Sequence, residues 1–159
     1  MEEQEKVHVS VLFIDDEVQN LVSFKAAFRR IYDEVFTAET AAQGLKILQE
    51  NPSIKVILSD QRMPEMTGTE FFASILNDYP EVIRILITGY SDISVVVDAI
   101  NLGQVYRYLI KPWDEMMIKI AVDNAVELFE IRRKNKELIE KLADANKKLE
   151  FLARQNMLS

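Results

Sequence analysis

Short apolar runs alternate with helical stretches five times along this chain, and this alternation restricts the fold more than any other feature. Apolar runs bounded by turn formers predict strands at residues 7–14, 34–38, 54–60, 82–88 and 105–110. Apolar side chains at helical spacing predict helices over residues 18–32, 41–50, 69–78, 93–102 and from 114 onwards. Because every connection is short, the pattern favours a doubly wound α/β sandwich, with a five-stranded parallel sheet between two layers of helices.

Composition sets further bounds. The 159 residues include no cysteine, which excludes disulfides and thiolate metal sites. Met1–Gln4 is polar and acidic, and no apolar stretch is long enough to span a bilayer, so we expect a cytoplasmic protein without a membrane partner. The net charge is −7, but residues 132–159 carry eight Lys/Arg and four Asp/Glu, which leaves an acidic body of −11. An acidic body disfavours a nucleic-acid surface.

Polar residues follow four of the predicted strands. Asp15 and Asp16 follow the first strand, Asp60 ends the third, Thr88 ends the fourth and Lys111 follows the fifth. The carboxyl ends of parallel strands meet at one edge of the sheet, where ligands bind in such folds. Three neighbouring carboxylates repel one another unless a cation is present, and Mg²⁺ prefers oxygen ligands of this kind. One carboxylate can then attack a phosphoryl group, with Lys111 and Thr88 contacting its oxygens.

Each of these residues alone has a simpler interpretation. Asp15 and Asp16 are equally consistent with a helix cap, Lys111 with a surface lysine and Thr88 with an ordinary threonine at a strand end. Their joint placement at the ends of successive strands is what predicts a site.

The motifs around these residues identify a family resemblance. Asp15-Asp16, Met63-Pro64 after Asp60, Gly68, Thr88-Gly89 and Tyr108 before Lys111-Pro112 occur in order. Over roughly residues 7–127 the chain resembles a two-component response regulator receiver domain. The resemblance implies a flavodoxin-like fold with strand order 2-1-3-4-5. It also implies a receiver domain over residues 1–127 and a coiled-coil signalling helix over residues 128–159, leading toward an output domain.

The resemblance also implies a role for each site residue. Asp60 would accept a phosphoryl group from a sensor histidine kinase or a phosphotransfer protein. Mg²⁺ would be held by Asp16 directly, by Asp15 through a water, by Asp60 and by the backbone carbonyl of Arg62. No turnover of a separate substrate is expected beyond phosphorylation and dephosphorylation of the chain itself.

The remaining roles belong to the switch. Lys111 would bridge to the phosphoryl group, and its bond to Pro112 is expected to be cis. Thr88 would move onto the phosphoryl oxygens, and Tyr108 would follow it inward. Arg62 and Tyr90 flank the site, and both are predicted to shield the acyl phosphate from water.

The last helix extends beyond the predicted domain. Residues 114–154 contain neither Pro nor Gly, which at 1.5 Å per residue gives a rod of roughly 60 Å. Its second half carries a heptad repeat of mainly apolar residues at alternating spacings of three and four, formed by Leu128, Ile131, Asn135, Leu138, Leu142, Ala145, Leu149 and Leu152. Asn135 occupies an a position, which favours a parallel homodimer. The alternative is a long helix folded back on its own receiver.

Two short segments suggest an output. Residues 105–113 resemble receivers that precede HD-GYP phosphodiesterases, and residues 149–159 loosely resemble the entry to diguanylate cyclase domains. Basic residues at 132–136 before the leucine repeat resemble a basic zipper, but Asn135 lies in the heptad seam. We therefore interpret this run as a solvated face without direct nucleic-acid binding.

Two other functions compete with a phosphorylation switch. An aspartyl phosphatase would need a second aspartate two residues after its nucleophile, where this chain has Arg62 after Asp60 and Glu17 after Asp15. A coiled-coil dimerisation module could keep the receiver fold without using phosphorylation. The acidic cluster and Lys111 disfavour that alternative.

Overall fold

The computed structural model describes residues 6–158, so the polar segment Met1–Gln4 lies outside the described residues. The strands are β1 Ser10–Ile14, β2 Glu34–Ala38, β3 Val56–Asp60, β4 Ile83–Thr88 and β5 Arg107–Ile110. The helices are α1 Val18–Phe28, α2 Ala41–Glu50, α3 Gly68–Ile75, α4 Ile93–Asn101 and α5 Glu115–Leu158. A 3₁₀ turn, Tyr90–Asp92, precedes α4.

The five strands form one parallel sheet in the order β2-β1-β3-β4-β5. Alternate residues of β1 enter different hydrophobic clusters, because successive side chains of a strand point to opposite faces. Val11 and Phe13 pack with α1 and the first part of α5, whereas Leu12 and Ile14 pack with α2, α3 and α4. The predicted three-layer fold and its strand order are confirmed.

Local signals explain where several elements begin and end. α2 has its predicted bounds, and the Thr40 side chain caps it by accepting a hydrogen bond from the Gln43 N–H. β1 is shorter than predicted because its pairing with β2 begins only at Ser10. α1 ends at Phe28 rather than Tyr32, and in the turn that follows, the N–H groups of Ile31 and Tyr32 both donate to the Phe28 carbonyl.

α5 is 44 residues long and continues well past the sheet. Its first half is buried through Ile118, Val122 and Ala125. Two ion pairs hold it where it leaves the amino ends of the strands, Lys55–Glu130 at 2.9 Å and Lys136–Glu81 at 2.8 Å. Within residues 6–158, no helix combines the length and the hydropathy that crossing a membrane requires.

Candidate functional site

Three carboxylates meet at the carboxyl edge of the sheet, as predicted. Asp60 is the last residue of β3, and Asp15 and Asp16 directly follow β1. One carboxylate oxygen from each of the three lies within 4.8 Å of the others. Asp15 and Asp60 are buried and Asp16 is exposed, so the cluster opens to solvent on one side.

Lys111, the residue directly after β5, completes the cluster. Its Nζ lies 2.9 Å from Asp60 Oδ2. Burial raises the pKa of Asp60 above its ordinary value, the hydrogen bond and charge of Lys111 oppose that shift, and Asp16 adds to it. Lys111 is therefore the main counter-charge that Asp60 has within the described residues.

Asp15 is held by donors from the start of α1. Its Oδ1 accepts a hydrogen bond from the Glu17 N–H at 2.9 Å, and its Oδ2 accepts one from Asn20 Nδ2 at 3.0 Å. Burial raises the pKa of Asp15, and these two bonds partly offset the rise. The N-cap of α1 is Glu17, so neither Asp15 nor Asp16 occupies the N-cap position itself.

The donor set fits a hard divalent cation. Carboxylate oxygens are the ligands that Mg²⁺ prefers, and it usually takes one or two of them and keeps several waters. Three such oxygens within 4.8 Å, two of them on buried side chains, meet that requirement. The mutual repulsion of the carboxylates gives a further reason for a cation here.

The predicted switch residues lie near the cluster. Thr88 is fully buried at the end of β4, and its hydroxyl donates to the Gly89 carbonyl at 3.3 Å. Tyr108 on β5 is half-buried and packs against the cluster formed with α2, α3 and α4. The Lys111–Pro112 peptide bond is cis, as expected. The roles assigned to these side chains stay predictions.

A small cleft of about 250 Å³ opens beside Asp60. Its lining residues are Asp60, Gln61, Arg62, Gly89, Ser91, Asp92 and Lys111. At its rim, the Arg62 guanidinium pairs with the Asp92 carboxylate and donates to Ser91 Oγ at 3.1 Å. Tyr90, the other predicted shield, is 77% exposed.

The predicted coiled-coil residues divide into two groups. Leu128 is half-buried and packs against the core formed with α1, so it belongs to the receiver as well as to the heptad. The other seven are exposed on α5: Ile131, Asn135, Leu138, Leu142, Ala145, Leu149 and Leu152. The apolar seam that is open to a partner thus begins at Ile131.

Comparison with known proteins assigns the family. The response regulator receiver domain matches residues 11–123 of this chain. The chain therefore belongs to the response regulator receiver domain family. The described fold and the acidic cluster agree with that membership.

Three relatives show the range of proteins to which this chain is similar. The hydrogenase transcriptional regulatory protein HoxA of Cupriavidus necator is 37% identical over 121 residues, which are 74% of this chain and 24% of HoxA. A crystal structure titled adenylate cyclase from Rhodopirellula baltica is 29% identical, with a TM-score of 0.81, covering 85% of this chain and 99% of that one. The signal receiver domain of an HD domain-containing protein from Pseudomonas fluorescens Pf-5 is 29% identical, with a TM-score of 0.75, covering 84% and 98%.

This chain spans about a quarter of the length of the curated relatives that it matches first. The similarity to these relatives thus concerns a receiver segment of larger proteins.

Three polar residues support the site but were not predicted from the sequence to belong to it. Asn20 holds Asp15, Asp92 holds Arg62, and the buried side chain of Gln61 bonds to Thr69. Their partners lie up to 30 positions away in the chain, as with Arg62 and Asp92. Only Asn20, one helical turn after the acidic pair, stood where local spacing could have indicated a contact.

Proposed function

We propose that this receiver is phosphorylated on Asp60 by a sensor histidine kinase or a phosphotransfer protein in the presence of Mg²⁺. We further propose that it passes the change through a parallel homodimeric coiled coil to an output domain. Receiver domains of response regulators accept phosphoryl groups from histidine kinases, and this chain belongs to that family. The type of output, HD-GYP or diguanylate cyclase, stays a prediction.

One observation carries the first part of the proposal. Asp60 Oδ2 lies 2.9 Å from Lys111 Nζ inside a cluster of three carboxylates, and both Asp60 and Lys111 line an open cleft. A nucleophile, a fixed positive charge and a set of oxygen ligands for a cation are the parts that phosphoryl transfer to a carboxylate requires.

The transfer needs little covalent chemistry from the protein. One carboxylate oxygen of Asp60 attacks phosphorus, a P–O bond to Asp60 forms, and the P–N bond to the donor histidine breaks, with the electron pair leaving on the imidazole nitrogen. Lys111 moves its charge from the Asp60 carboxylate toward the phosphoryl oxygens. Bound Mg²⁺, held by Asp15, Asp16, Asp60 and the Arg62 carbonyl, would supply further positive charge to those oxygens.

The switch follows from a change of hydrogen-bond partner. The Thr88 hydroxyl now donates to the Gly89 carbonyl, and a phosphoryl group on Asp60 offers it a stronger, charged acceptor. Movement of Thr88 would open the space into which half-buried Tyr108 swings. The surface around α4 and β5 would then change with the phosphorylation state.

Intact mass spectrometry tests this part. Incubation with Mg²⁺ and acetyl phosphate should add one phosphoryl group to the wild-type chain and none to Asp60→Asn. Chelation of Mg²⁺ should abolish the addition, and the exposed-carboxylate variant Asp98→Asn should behave as wild type. If folded wild-type protein gains no mass from acetyl phosphate or from a set of histidine kinases, either the acyl phosphate hydrolyses very fast or the receiver is silent, and the dimerisation module becomes the leading function.

The exposed seam of α5 carries the second part of the proposal. Ile131, Leu138 and Leu142 are each at least half-exposed in the single chain. A regular a/d stripe of such residues is the surface that a second helix covers in a coiled coil. The ion pair Lys55–Glu130 fixes the helix to the receiver just before the seam begins.

Charges beside the seam favour the parallel orientation. Lys134, Lys141 and Lys148 all occupy g positions, so an antiparallel pair in this register places lysines opposite lysines. A parallel pair places g residues opposite the e residues of the partner helix five positions further along. Glu127 then faces Arg132, an attractive pair.

Sedimentation equilibrium tests the dimer. Leu142→Ser, in the seam, should weaken self-association by about tenfold or more, because burial of a leucine side chain is worth roughly 1.5–3 kcal/mol. Phe151→Ser removes an equally exposed apolar side chain from the outer face of the same helix and serves as the matched control. Equal effects of the two substitutions, or a monomeric wild type at high concentration, would refute the coiled coil.

A further inference from the structure

The side chain of Gln61, the residue after the phosphoacceptor, is buried and bonded at both ends. It is 4% exposed. Its Oε1 accepts a hydrogen bond from the Thr69 N–H at 3.0 Å, and its Nε2 donates to Thr69 Oγ1 at 3.1 Å. A buried amide with both ends paired holds its neighbours in one arrangement, because loss of either bond leaves a polar group without a partner.

Backbone bonds at the same residue close the loop between β3 and α3. The Gln61 N–H donates to the Ile87 carbonyl, and the Gly68 N–H donates to the Gln61 carbonyl, each at 3.0 Å. The loop of residues 62–67 is thus pinned at its base by the backbone and the side chain of one residue.

Close packing reinforces this base. A Cβ atom built on Gly68 would lie 2.6 Å from the Asp60 carbonyl oxygen and 2.5 Å from Leu86 Cδ2. The start of α3 therefore lies directly against the backbone of the phosphoacceptor, and the Gln61–Thr69 pair holds it there.

Arg62 is the first residue of this loop, and its backbone faces the cluster. Its N–H bonds to the Asp60 carboxylate. Its side chain points outward to Asp92 and is largely exposed. Arg62 therefore directly follows the pinned residue Gln61, and its side chain is tied to the start of α4 through Asp92.

We infer that Gln61 is a positioning residue for the metal site: its clamp on Thr69 holds the Arg62 carbonyl beside the three carboxylates. Gln61 does not touch the carboxylates in this role and acts through the loop. The inference rests on the proposed function, since it takes the Arg62 carbonyl as a Mg²⁺ ligand. Groups that orient metal ligands typically change metal affinity by about 10–100-fold when they are removed.

Three substitutions remove both, one or neither of the hydrogen bonds between the Gln61 side chain and Thr69. Gln61→Met keeps the length of the side chain and removes both side-chain bonds. Thr69→Val removes the hydroxyl and keeps the N–H bond, whereas Thr69→Ser keeps both. Asn51→Ala is the matched control, because it removes a side-chain amide bond to the Ile47 carbonyl at the end of α2.

The measurement is the Mg²⁺ dissociation constant of the full chain without any phosphodonor, from amide chemical shifts in an NMR titration. Thermal unfolding in the absence of Mg²⁺ gives the stability of each variant separately. We expect Gln61→Met to weaken Mg²⁺ binding by about tenfold or more, Thr69→Val by less, and Thr69→Ser and Asn51→Ala by less than about twofold.

Several outcomes overturn the inference. If wild type binds Mg²⁺ and Gln61→Met binds it equally well, Gln61 does not position the site. If Asn51→Ala weakens binding as much as Gln61→Met, the effect is general destabilisation. If Gln61→Met does not fold, the Mg²⁺ dissociation constants of Thr69→Val and Thr69→Ser are compared instead. Equal constants for these two variants would then overturn the inference. If wild type itself binds no Mg²⁺, the metal role in the proposed function fails first and this inference fails with it.

Discussion

Arg62 and Asp92, 30 positions apart in the chain, form a two-pronged ion pair across the rim of the site. Arg62 Nε lies 2.7 Å from Asp92 Oδ2, and Arg62 Nη2 lies 3.2 Å from Asp92 Oδ1. The pair joins the loop after Asp60 to the start of α4. The hydrogen bond between the two side chains favours the charged form of each. It raises the pKa of Arg62 and lowers the pKa of Asp92.

Breaking this pair should shorten the life of the acyl phosphate. Arg62→Ala or Asp92→Ala opens the rim to water, and because an exposed ion pair is a weak barrier, the loss of phosphate should be at most about fivefold faster. The rate is measured by intact mass after removal of the phosphodonor. The double variant should be no faster than either single variant, since both remove one interaction.

Lys119→Ala is the control for this experiment, because it breaks a comparable exposed pair with Asp123 on α5. Slower hydrolysis in Arg62→Ala, or additive effects in the double variant, would show that the pair does not shield the site.

Gly68 and Gly89 should respond oppositely to alanine. A Cβ on Gly68 meets the Asp60 backbone at 2.6 Å, so Gly68→Ala should lower the free energy of unfolding by about 1–3 kcal/mol. Gly89 has an extended backbone and nothing within 4 Å of a built Cβ, so Gly89→Ala should be neutral or stabilising by about 0.4–1 kcal/mol. Denaturant unfolding of both variants gives the comparison, and a harmless Gly68→Ala would contradict it.

The fold could be predicted from the sequence because its signals are local. Alternating apolar runs and helical spacing identified all five strands and all five helices, and the strand-end rule brought Asp15, Asp60 and Lys111 together. The cap of α2 could be seen in Thr40 and the residues after it. Only the ends of elements moved, as at β1, where pairing with β2 starts three residues later than the apolar run.

The supporting contacts of the site could not be predicted because they depend on three-dimensional neighbours. Gln61 contacts Thr69 only because the chain turns back between β3 and α3. Nothing in the sequence around Gln61 distinguishes it from an exposed polar residue. Arg62 pairs with Asp92 only because β3 and β4 are adjacent in the sheet. Each depends on the packed fold rather than on spacing.

Glu130 should make stability depend on pH in the acid range. Burial raises its pKa, but hydrogen bonds from Lys55 and Arg133 outweigh this and leave the pKa below its ordinary value. A carboxylate with a lowered folded-state pKa stabilises the protein above its unfolded-state pKa, and this stabilisation is lost as the pH falls. Glu130→Gln should therefore cost about 1–2 kcal/mol at pH 7 and progressively less below about pH 4.5.

Denaturant unfolding at a series of pH values measures this difference. Glu137→Gln, whose exposed carboxylate lies 3.7 Å from Arg133, is the control and should change stability little at any pH. A constant deficit for Glu130→Gln down to pH 3 would mean that the charge of Glu130 does not contribute.

Ser10 should be replaceable by alanine with a gain in stability. Its Oγ is fully buried and has no hydrogen-bond partner within residues 6–158. An unpaired buried hydroxyl costs roughly 1–3 kcal/mol, so Ser10→Ala should raise the free energy of unfolding by about 1 kcal/mol. Ser53→Ala, at an exposed serine bonded to Glu34, should change it little, and a destabilised Ser10→Ala would reveal a partner for the hydroxyl.

Asn135 should lower the stability of the dimer while fixing the register of its two helices. In a parallel coiled coil a buried Asn at an a position fixes register and strand number at a cost in stability, so Asn135→Leu should tighten self-association and broaden the range of oligomers. Sedimentation equilibrium and thermal unfolding at two concentrations measure both effects. Asn146→Leu makes the same change at an e position of the same exposed helix and should alter association much less. Equal tightening by both variants, or none by Asn135→Leu, would place Asn135 outside the dimer seam.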